Sequence, residues 1–314
     1  MNNNPLVSII CLCYNQAAFL KESLESVWSQ TYENIQLIVV DDCSTDQSVQ
    51  EVEKLLLDKD VNFIKLETNI GNTSAFNKGL ELVKGDYVID LAADDVLTKD
   101  RIKNQVEFFN TCSEKVGVIY SDAMYISESA QMISRHFNNK KLRPYQGNIY
   151  KELIRKYFIP TPTMMIRKSV FDELKGYDSQ LAYEDFDFWI RSSRNWEYAF
   201  QDEVLTYIRK VKGSFSTKAY TTNNKQVHST YLVCKKIYQL NTNELEHSAL
   251  IKRLQYEIRQ ASFSGNQNEA ESFYGILKEM NGGGIAINIL MILNKLKINF
   301  SIIRNLYHRL RYRS

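Results

Sequence analysis

The sequence contains few of the residues and segments that mark fibrous, disulfide-rich or membrane-spanning proteins. Its 314 residues include only 4 Pro and 12 Gly, which excludes a collagen-like or linker-dominated chain. The 5 Cys are odd in number and form no CxxC pair, so we expect reduced thiols in the cytoplasm. No segment has the roughly 20 apolar residues that cross a bilayer, and the first residues lack the pattern of a signal peptide.

Acidic residues are absent from the end of the chain. None follows Glu279, whereas six basic residues do: Lys295, Lys297, Arg304, Arg309, Arg311 and Arg313. The chain before this tail contains 33 of the 39 basic residues and all 37 acidic residues, a net charge of −4. A basic tail therefore follows a mildly acidic body. The formal net charge of +2 gives no indication of nucleic-acid binding.

Apolar runs alternate with helical patterns in the first half of the chain. A hydrophobic content of 44% and a charged content of 24% are typical of a globular protein. Strands are predicted over 6–13, 35–40, 61–66 and 87–91, with a helix after the first strand that Asn15 is expected to cap. This order predicts an α/β fold with a mostly parallel sheet and flanking helices. From about 117 the pattern is mixed, and beyond about 222 it is helical.

Polar clusters follow three of these strands at the point where each strand ends. They are Tyr14-Asn15, Asp41-Asp42 and Asp94-Asp95. Ligands of such sheets bind beyond the carboxyl ends of the strands. Adjacent carboxylates repel each other unless a cation lies beside them, and Mg²⁺ or Mn²⁺ binds a few carboxylates together with phosphate oxygens. Asp94-Asp95 could instead cap the helix that follows it, but the shared position favours a metal–diphosphate site. Asp41-Asp42 could likewise cap the next helix, or accept the imide N–H of a uracil or thymine ring. Tyr14 could stack on that ring or serve in packing.

Glu184-Asp185 precedes a stretch rich in aromatic residues. Their charges would stabilise the start of a helix through its dipole. The alternative is a general base, for which a buried carboxylate could hold the required pKa.

Together these residues resemble family 2 glycosyltransferases of the GT-A fold, over roughly residues 5–218. The matching stretches are Val7-Ser8-Ile9-Ile10 through Tyr14-Asn15; Val40-Asp41-Asp42-Cys43-Ser44-Thr45-Asp46; Asn69-Ile70-Gly71 through Asn77-Lys78-Gly79; Ala93-Asp94-Asp95; and Tyr183-Glu184-Asp185-Phe186-Asp187-Phe188-Trp189. The resemblance implies a catalytic domain over 1–218, with a nucleotide-sugar half to about 115 and an acceptor half from 116. A helical region over 219–314 follows it.

The resemblance also implies individual roles. Tyr14 would lie against the nucleotide base, Asp42 would accept its N3–H, and Asp94 would approach the ribose. Asp95 would bind the divalent cation, Mn²⁺ or Mg²⁺, and Asp185 would be the catalytic base. The residues assigned to the nucleotide are Cys13, Tyr14, Asn15, Asp42, Asn77 and Asp94.

Two further segments resemble parts of the family's acceptor and diphosphate sites. The stretch with Thr161, Thr163 and Met164 resembles the floor of the acceptor site, to which Glu184 is also assigned. Residues 207–216 resemble a mobile loop that closes over the donor diphosphate. Its candidate contacts are Arg209, Lys212 and Ser214.

Three positions depart from the family pattern. Ala92 stands where many relatives have a further Asp, so metal binding would depend more on Asp95 and the diphosphate. Phe76 replaces an Arg, so a donor contact would be lost or moved to Lys78. Lys210, Val211 and Lys212 occupy the region where many relatives have a His; a Lys could there supply positive charge to the leaving diphosphate.

The resemblance implies an inverting transferase that moves a sugar from a UDP- or dTDP-sugar to a hydroxyl of a glycan, lipid-linked or protein-linked acceptor. A role in bacterial surface-glycan assembly is expected. A catalytically silent sugar-nucleotide binder and a nucleotidyltransferase are the alternatives. A dehydrogenase is disfavoured because no GxGxxG follows the first strand.

Apolar residues recur at helical spacing through the basic tail, 285–314. They are Ile285, Ile289, Ile292, Leu293, Leu296, Phe300, Ile303, Leu306 and Leu310. A basic amphipathic helix can lie in an anionic membrane interface, here the inner face of the cell membrane. The alternative is packing against the catalytic domain or a second subunit, so membrane attachment and a homo-oligomer both stay open.

Overall fold

A computed structural model describes residues 4–138, 142–212, 224–296 and 300. The chain divides into two compact units. The first comprises Met1–Ile149, Phe158–Gln180 and Asp187–Val211, and the second comprises Tyr150–Tyr157, Leu181–Phe186 and Lys212–Ser314. The segments Tyr150–Tyr157 and Leu181–Phe186 thus group with the C-terminal helices, although both precede the domain boundary at 218 that the sequence predicts.

The described residues of the first unit form one nine-stranded sheet. The strands are β1 (Val7–Cys13), β2 (Ile35–Asp41), β3 (Asn62–Lys65), β4 (Tyr87–Ala92), β5 (Val96–Leu97), β6 (Val116–Ile126), β7 (Met132–Arg135), β8 (Met165–Arg167) and β9 (Glu197–Arg209). Their order is β3-β2-β1-β4-β8-β6-β9-β5, and β7 pairs with β6.

The helices of the described residues connect and follow these strands. They are α1 (Ala17–Trp28), α2 (Ser48–Leu55), α3 (Asn72–Leu80), α4 (Arg101–Thr111), α5 (Tyr150–Arg155), α6 (Lys168–Leu174), α7 (Asp185–Ser192), α8 (Lys225–Leu240), α9 (Glu244–Phe263), α10 (Gln267–Glu279) and α11 (Ile285–Lys295). A 3₁₀ turn covers Thr161–Thr163.

The four strands of the first half are parallel, as their alternation with helices predicts. β1 pairs in parallel with β2 and β4, and β2 pairs in parallel with β3. Every residue of β1 is buried, because helices cover both faces of the sheet. On one face, apolar residues of α1 and α4 pack against alternate residues of β1. On the other, α3 approaches so closely that a Cβ on Gly79 would lie 2.7 Å from the Ile10 side chain.

The second half of the sheet is mixed rather than parallel. β8 is antiparallel to both β4 and β6, whereas β6 and β9 are parallel. β5 and β7 pair antiparallel with β9 and β6. The 13-residue strand β9 has no counterpart in the sequence-based expectations, because its buried and exposed positions follow no regular alternation.

The second unit is helical in its described residues, with α9 packing against α5, α8, α10 and α11. The buried residues Leu250, Leu254, Ile258 and Ala261 recur at helical spacing along α9. The side chains of Asn224 and Asn243 accept backbone N–H groups and cap α8 and α9. Within the described ranges, no helix is long and apolar enough to span a membrane.

Candidate functional site

The carboxyl ends of β1, β2 and β4 meet at one edge of the sheet. Cys13 of β1 is level with Asp41 of β2, and Leu12 is level with Ala92 of β4. The Asp42 N–H donates to the Cys13 carbonyl at 2.9 Å, which extends the pairing beyond the strands. The polar residues that follow these strands are therefore neighbours in space, as the sequence predicts.

The adjacent carboxylates of Asp41 and Asp42 have different partners. Both oxygens of the buried Asp41 accept hydrogen bonds from Ser44, one from its backbone N–H at 2.8 Å and one from its hydroxyl at 2.6 Å. The oxygens of Asp42 accept the backbone N–H groups of Ile70 at 2.8 Å and Gly71 at 2.9 Å. Asp41 therefore fixes its own loop, and Asp42 fixes the loop before α3.

Asp42 is suited to accept a further hydrogen bond. Burial raises the pKa of its carboxyl group, and the N–H groups of Ile70 and Gly71 partly oppose that rise. A carboxylate has about four acceptor positions, of which these two amides use two. The geometry is consistent with an imide N–H as an additional partner, and that role stays a prediction.

Asn15 does not cap α1, contrary to the sequence-based expectation. It adopts a left-handed backbone with φ of 55°, and the helix N-cap is Gln16 without a side-chain cap bond. The Asn15 Oδ1 accepts the Thr45 N–H at 2.7 Å, and its own N–H donates to the Ser44 Oγ at 2.9 Å. Its side chain therefore ties the loop after β1 to the loop after β2.

Cys13 and Tyr14 differ in their access to a ligand. The Cys13 side chain is buried, and burial raises the pKa of its thiol to about 12, so it remains a neutral packing group. A nucleotide could contact only its backbone. Tyr14 is 48% exposed, which leaves its ring available for stacking on a base.

Asp94 and Asp95 lie in the turn after β4. Burial raises the pKa of Asp95 well above its ordinary value, and the charge of Asp94 raises it further. The Arg209 N–H donates to the Asp95 Oδ1 at 2.9 Å, and both Arg209 and Arg101 lower that pKa. Burial also raises the pKa of Asp94, which Arg209 and the side chain of Gln16 lower.

Arg209 is a fixed residue of β9 and not part of a loop, which corrects the interpretation of 207–216 at this position. Its guanidinium donates to the carbonyls of Asp94, Ser127 and Glu128 at 3.0, 3.1 and 3.2 Å. It also pairs with the Glu22 carboxylate at 2.6 Å. Because these contacts occupy the guanidinium, it serves to hold the Asp94-Asp95 turn against β9.

The carboxylates at this edge fit a divalent cation whose remaining ligands are the oxygens of a diphosphate. Among the described residues, no group of three or more His, Cys, Asp or Glu could hold a metal ion by itself. Asp94 and Asp95 supply two carboxylates, and Ala92 adds none. Mg²⁺ and Mn²⁺ accept one or two carboxylates when phosphate oxygens complete their coordination.

Asn77 takes a structural position, although the sequence-based assignment places it on the nucleotide. Its Nδ2 donates to the Tyr177 carbonyl at 2.8 Å, and its Oδ1 accepts the Tyr177 N–H at 2.9 Å. The carboxamide therefore joins α3 to the segment after α6, where Gly176 passes with φ of 80°.

The predicted acceptor floor is largely buried. Thr163 and Met164 have almost no exposed surface, and the Thr163 hydroxyl donates to the Pro160 carbonyl at 2.7 Å. The buried Arg101 guanidinium donates to the Met164 carbonyl at 3.0 Å, and the neighbouring Gln105 donates to the Thr163 carbonyl at 2.8 Å. Thr161 is partly exposed and is the member of this stretch with a side chain open to a ligand.

The remaining candidates belong to the second unit. Asp185 is the first residue of α7, and Glu184 before it is buried. Within that unit, the Ala182 N–H donates to the Ser229 Oγ at 2.8 Å, and the Tyr183 hydroxyl bonds to Thr230 at 2.7 Å. Lys212 is exposed. Ser214 lies outside the described residues.

Nothing in the sequence points to Arg101 or Glu22 at the site, whereas Lys210 lies in the segment where a Lys is expected to supply positive charge to the diphosphate. The Lys210 ammonium lies 3.8 Å from the centroid of the Tyr125 ring, and partial desolvation lowers its pKa while Asp95 raises it. The three basic residues 209, 210 and 212 look alike in sequence. Only the pairing of β9 with β6 distinguishes the fixed Arg209 from the exposed Lys210 at its end.

The comparisons with known proteins agree with this geometry. The family model described as "Glycosyl transferase family 2" matches residues 8–175, which is more than half of the chain. The chain belongs to glycosyl transferase family 2. This family 2 glycosyltransferase is 28% identical over 260 residues to an uncharacterised glycosyltransferase of Methanocaldococcus jannaschii, covering 75% of this chain and 84% of that protein.

Other relatives and solved structures extend the similarity. An uncharacterised glycosyltransferase of Rickettsia felis is 28% identical over 250 residues, covering 79% of this chain but only 40% of that longer protein. A crystal structure of S. aureus TarS 1–349 in complex with UDP-GlcNAc superposes with a TM-score of 0.69 at 20% identity, covering 91% and 83% of the two chains. A mannosyltransferase from Pyrobaculum calidifontis in complex with GDP-Man and Mn²⁺ has a TM-score of 0.61 at 14% identity, covering 97% and 84%. The predicted GT-A fold is thus confirmed.

Proposed function

We propose that this family 2 glycosyltransferase transfers a sugar from a UDP- or dTDP-sugar to a hydroxyl group, with inversion at the anomeric carbon. One observation carries the proposal. The loops after β1, β2 and β4 place the exposed Tyr14 and the carboxyl groups of Asp42, Asp94 and Asp95 at one edge of the sheet. Such an edge is where open α/β sheets bind their ligands.

The base of the donor would lie between Tyr14 and Asp42. An aromatic face stacks on any base, but a carboxylate as acceptor selects a base with a ring N–H. The N3–H of uracil or thymine meets that requirement. The TarS structure holds UDP-GlcNAc, which supports a uridine donor, whereas the mannosyltransferase holds GDP-Man, so a guanosine donor belongs in any screen.

The diphosphate would lie beside Asp94 and Asp95. A divalent cation held by Asp95 would neutralise charge on the leaving diphosphate. Arg209 fixes the turn that presents both carboxyl groups, and Lys210 contributes a positive charge at the same edge. The Mn²⁺ in the mannosyltransferase structure supports the choice of a divalent cation.

Asp185 is the proposed general base. It would take the proton of the acceptor hydroxyl while the oxygen forms its bond to the anomeric carbon. The bond from that carbon to the diphosphate oxygen breaks, and its electron pair leaves with the nucleoside diphosphate. A single base without a carboxylate nucleophile gives one displacement and hence inversion.

The acceptor is proposed to be a glycan, a lipid-linked saccharide or a protein-linked saccharide, in bacterial surface-glycan assembly. All five cysteines are unpaired, which supports a reducing compartment and hence the cytoplasm. The grouping of 1–218 as a catalytic domain, ahead of a helical region, is part of the same proposal.

A thermal-shift and calorimetric screen tests the donor. We expect UDP- or dTDP-sugars to bind in the presence of Mn²⁺ and to bind more weakly after chelation. Asp42→Asn should weaken the binding of a uridine nucleotide. The control variant Asp202→Asn, at an exposed carboxylate, should leave that binding unchanged. If no nucleotide sugar binds with or without Mn²⁺, the proposal is wrong.

Asp185→Asn tests the base. General-base assistance contributes about 10²–10⁴-fold, so we expect turnover to fall by about that factor while donor affinity is unchanged. Near-normal transfer by this variant would contradict the assigned role. Hydrolysis of the donor by the wild-type protein would exclude the alternative of a catalytically silent binder.

A further inference from the structure

Helix α11 packs against the rest of the second unit through one of its faces. Ile287, Met291 and Asn294 are buried on that face. The Asn294 Nδ2 donates to the Ser262 Oγ of α9 at 2.6 Å. Because this polar pair is buried, it fixes the rotation of α11 about its own axis.

The opposite face of α11 presents large aliphatic side chains to solvent. Ile285, Ile289, Ile292 and Leu296 are 81%, 52%, 59% and 67% exposed. Their spacing of four, three and four residues places them in one row along the helix. We name these four residues the apolar row. With a rise of about 1.5 Å per residue, the row is about 16 Å long.

The row differs in two ways from the amphipathic face expected from sequence. Leu293 is only partly exposed, and Phe300 is buried, with its ring centroid 5.6 Å from that of Phe263. These residues therefore pack on the unit and do not extend the row. Ile303, Leu306 and Leu310 lie outside the described residues.

Charge distinguishes the surface that fits the apolar row. The sequence from 280 onward contains Lys295, Lys297 and four Arg, and no acidic residue. An anionic lipid surface accepts aliphatic side chains at the boundary of its acyl chains and cations at its headgroups.

A second copy of the chain fits less well. A strip about 16 Å long and about 10 Å wide offers about 160 Å², whereas a stable interface buries about 800 Å² on each partner. The area therefore argues against a second copy, and the charge of the sequence favours an anionic lipid surface.

We propose that the apolar row binds the surface of an anionic membrane. The row inserts at the headgroup boundary and leaves the docked face of α11 on its unit. This attachment is independent of donor binding and of the transfer reaction.

Flotation of the full-length protein with lipid vesicles tests the proposal. Vesicles of phosphatidylcholine with phosphatidylglycerol are compared with vesicles of phosphatidylcholine alone. We expect binding to the anionic vesicles only, and loss of that binding at high salt, where charge interactions are screened. Replacing the four residues of the apolar row with Ser should lower the partition coefficient at least about tenfold.

The control variant carries four Ser at other exposed apolar positions: Leu57, Met132, Ile133 and Leu245. It should bind as the wild type does, and circular dichroism should show both variants folded. Equal loss in both variants, unchanged binding of the row variant, or no binding by the intact chain would overturn the proposal. A concentration-dependent dimer that the row variant loses in sedimentation velocity, without vesicle binding, would assign the row to a second copy instead.

Discussion

Arg209→Met should destabilise the first unit far more than the loss of one surface ion pair would. The guanidinium of Arg209 is buried and donates to three carbonyl groups, and its partner Glu22 is half exposed. Removing one member of a buried, hydrogen-bonded charge network costs about 3–5 kcal/mol. In this variant the carbonyls of Asp94, Ser127 and Glu128 lose their donor, and the buried Asp95 loses a compensating cation.

Glu22→Gln provides the matched comparison because it removes only the exposed partner of the same pair. Exposed ion pairs contribute at most about 1 kcal/mol, and the carbonyl bonds of Arg209 remain. The loss of stability in Arg209→Lys should lie between those of the other two variants, since one ammonium group cannot reach all four acceptors. At about 2–4 °C per kcal/mol, Arg209→Met lowers the melting temperature by about 6–20 °C and Glu22→Gln by at most about 4 °C.

Tryptophan fluorescence suits the measurement, because the chain's 3 Trp, at positions 28, 189 and 196, all belong to the first unit. Urea titration and thermal unfolding followed by fluorescence therefore report on that unit. Equal destabilisation by Arg209→Met and Glu22→Gln would refute the reasoning that the buried carbonyl contacts dominate.

Two further predictions concern His136 and Asn77. Burial lowers the pKa of His136, so the unfolded chain binds the proton more readily and stability is lost as pH falls below about 6.5. His136→Gln should flatten that part of the melting profile; a profile that stays parallel to that of the wild type would contradict the prediction. Asn77→Ala should cost about 1–3 kcal/mol through its two bonds to the Tyr177 backbone, measured by urea unfolding, with no change in donor affinity by calorimetry. A large loss of donor affinity without destabilisation would instead support a role of Asn77 in nucleotide binding.

The parallel half of the fold could be predicted because its signals are local. The first four strands are short apolar runs that alternate with helical patterns, and three of them end in a polar cluster. Parallel strands bring their carboxyl ends to one edge, so the nearness of Asp42 to the end of β1 follows from the order of elements alone. The mixed half could not be predicted in the same way, because β9 pairs with β6 across some 80 residues of chain.

The same distinction applies to single side chains. Asn15 has the usual character of a cap, yet its oxygen accepts from Thr45 of another loop. Asn77 lies in a family motif, yet it binds the backbone a hundred positions away. In each case a distant segment provides the hydrogen-bond partner, which a local sequence pattern cannot predict.

The sequence by itself determined the order of strands and helices in the parallel half, the polar edge, the family and the basic tail, because these follow from composition, period and short motifs. Tertiary structure alone decided which loop each of the adjacent carboxylates Asp41 and Asp42 fixes, that Arg209 is held by β9 and its neighbours, and which residues of α11 remain exposed. Those outcomes depend on burial and on hydrogen-bond partners supplied by remote segments, which exist only once the chain has folded.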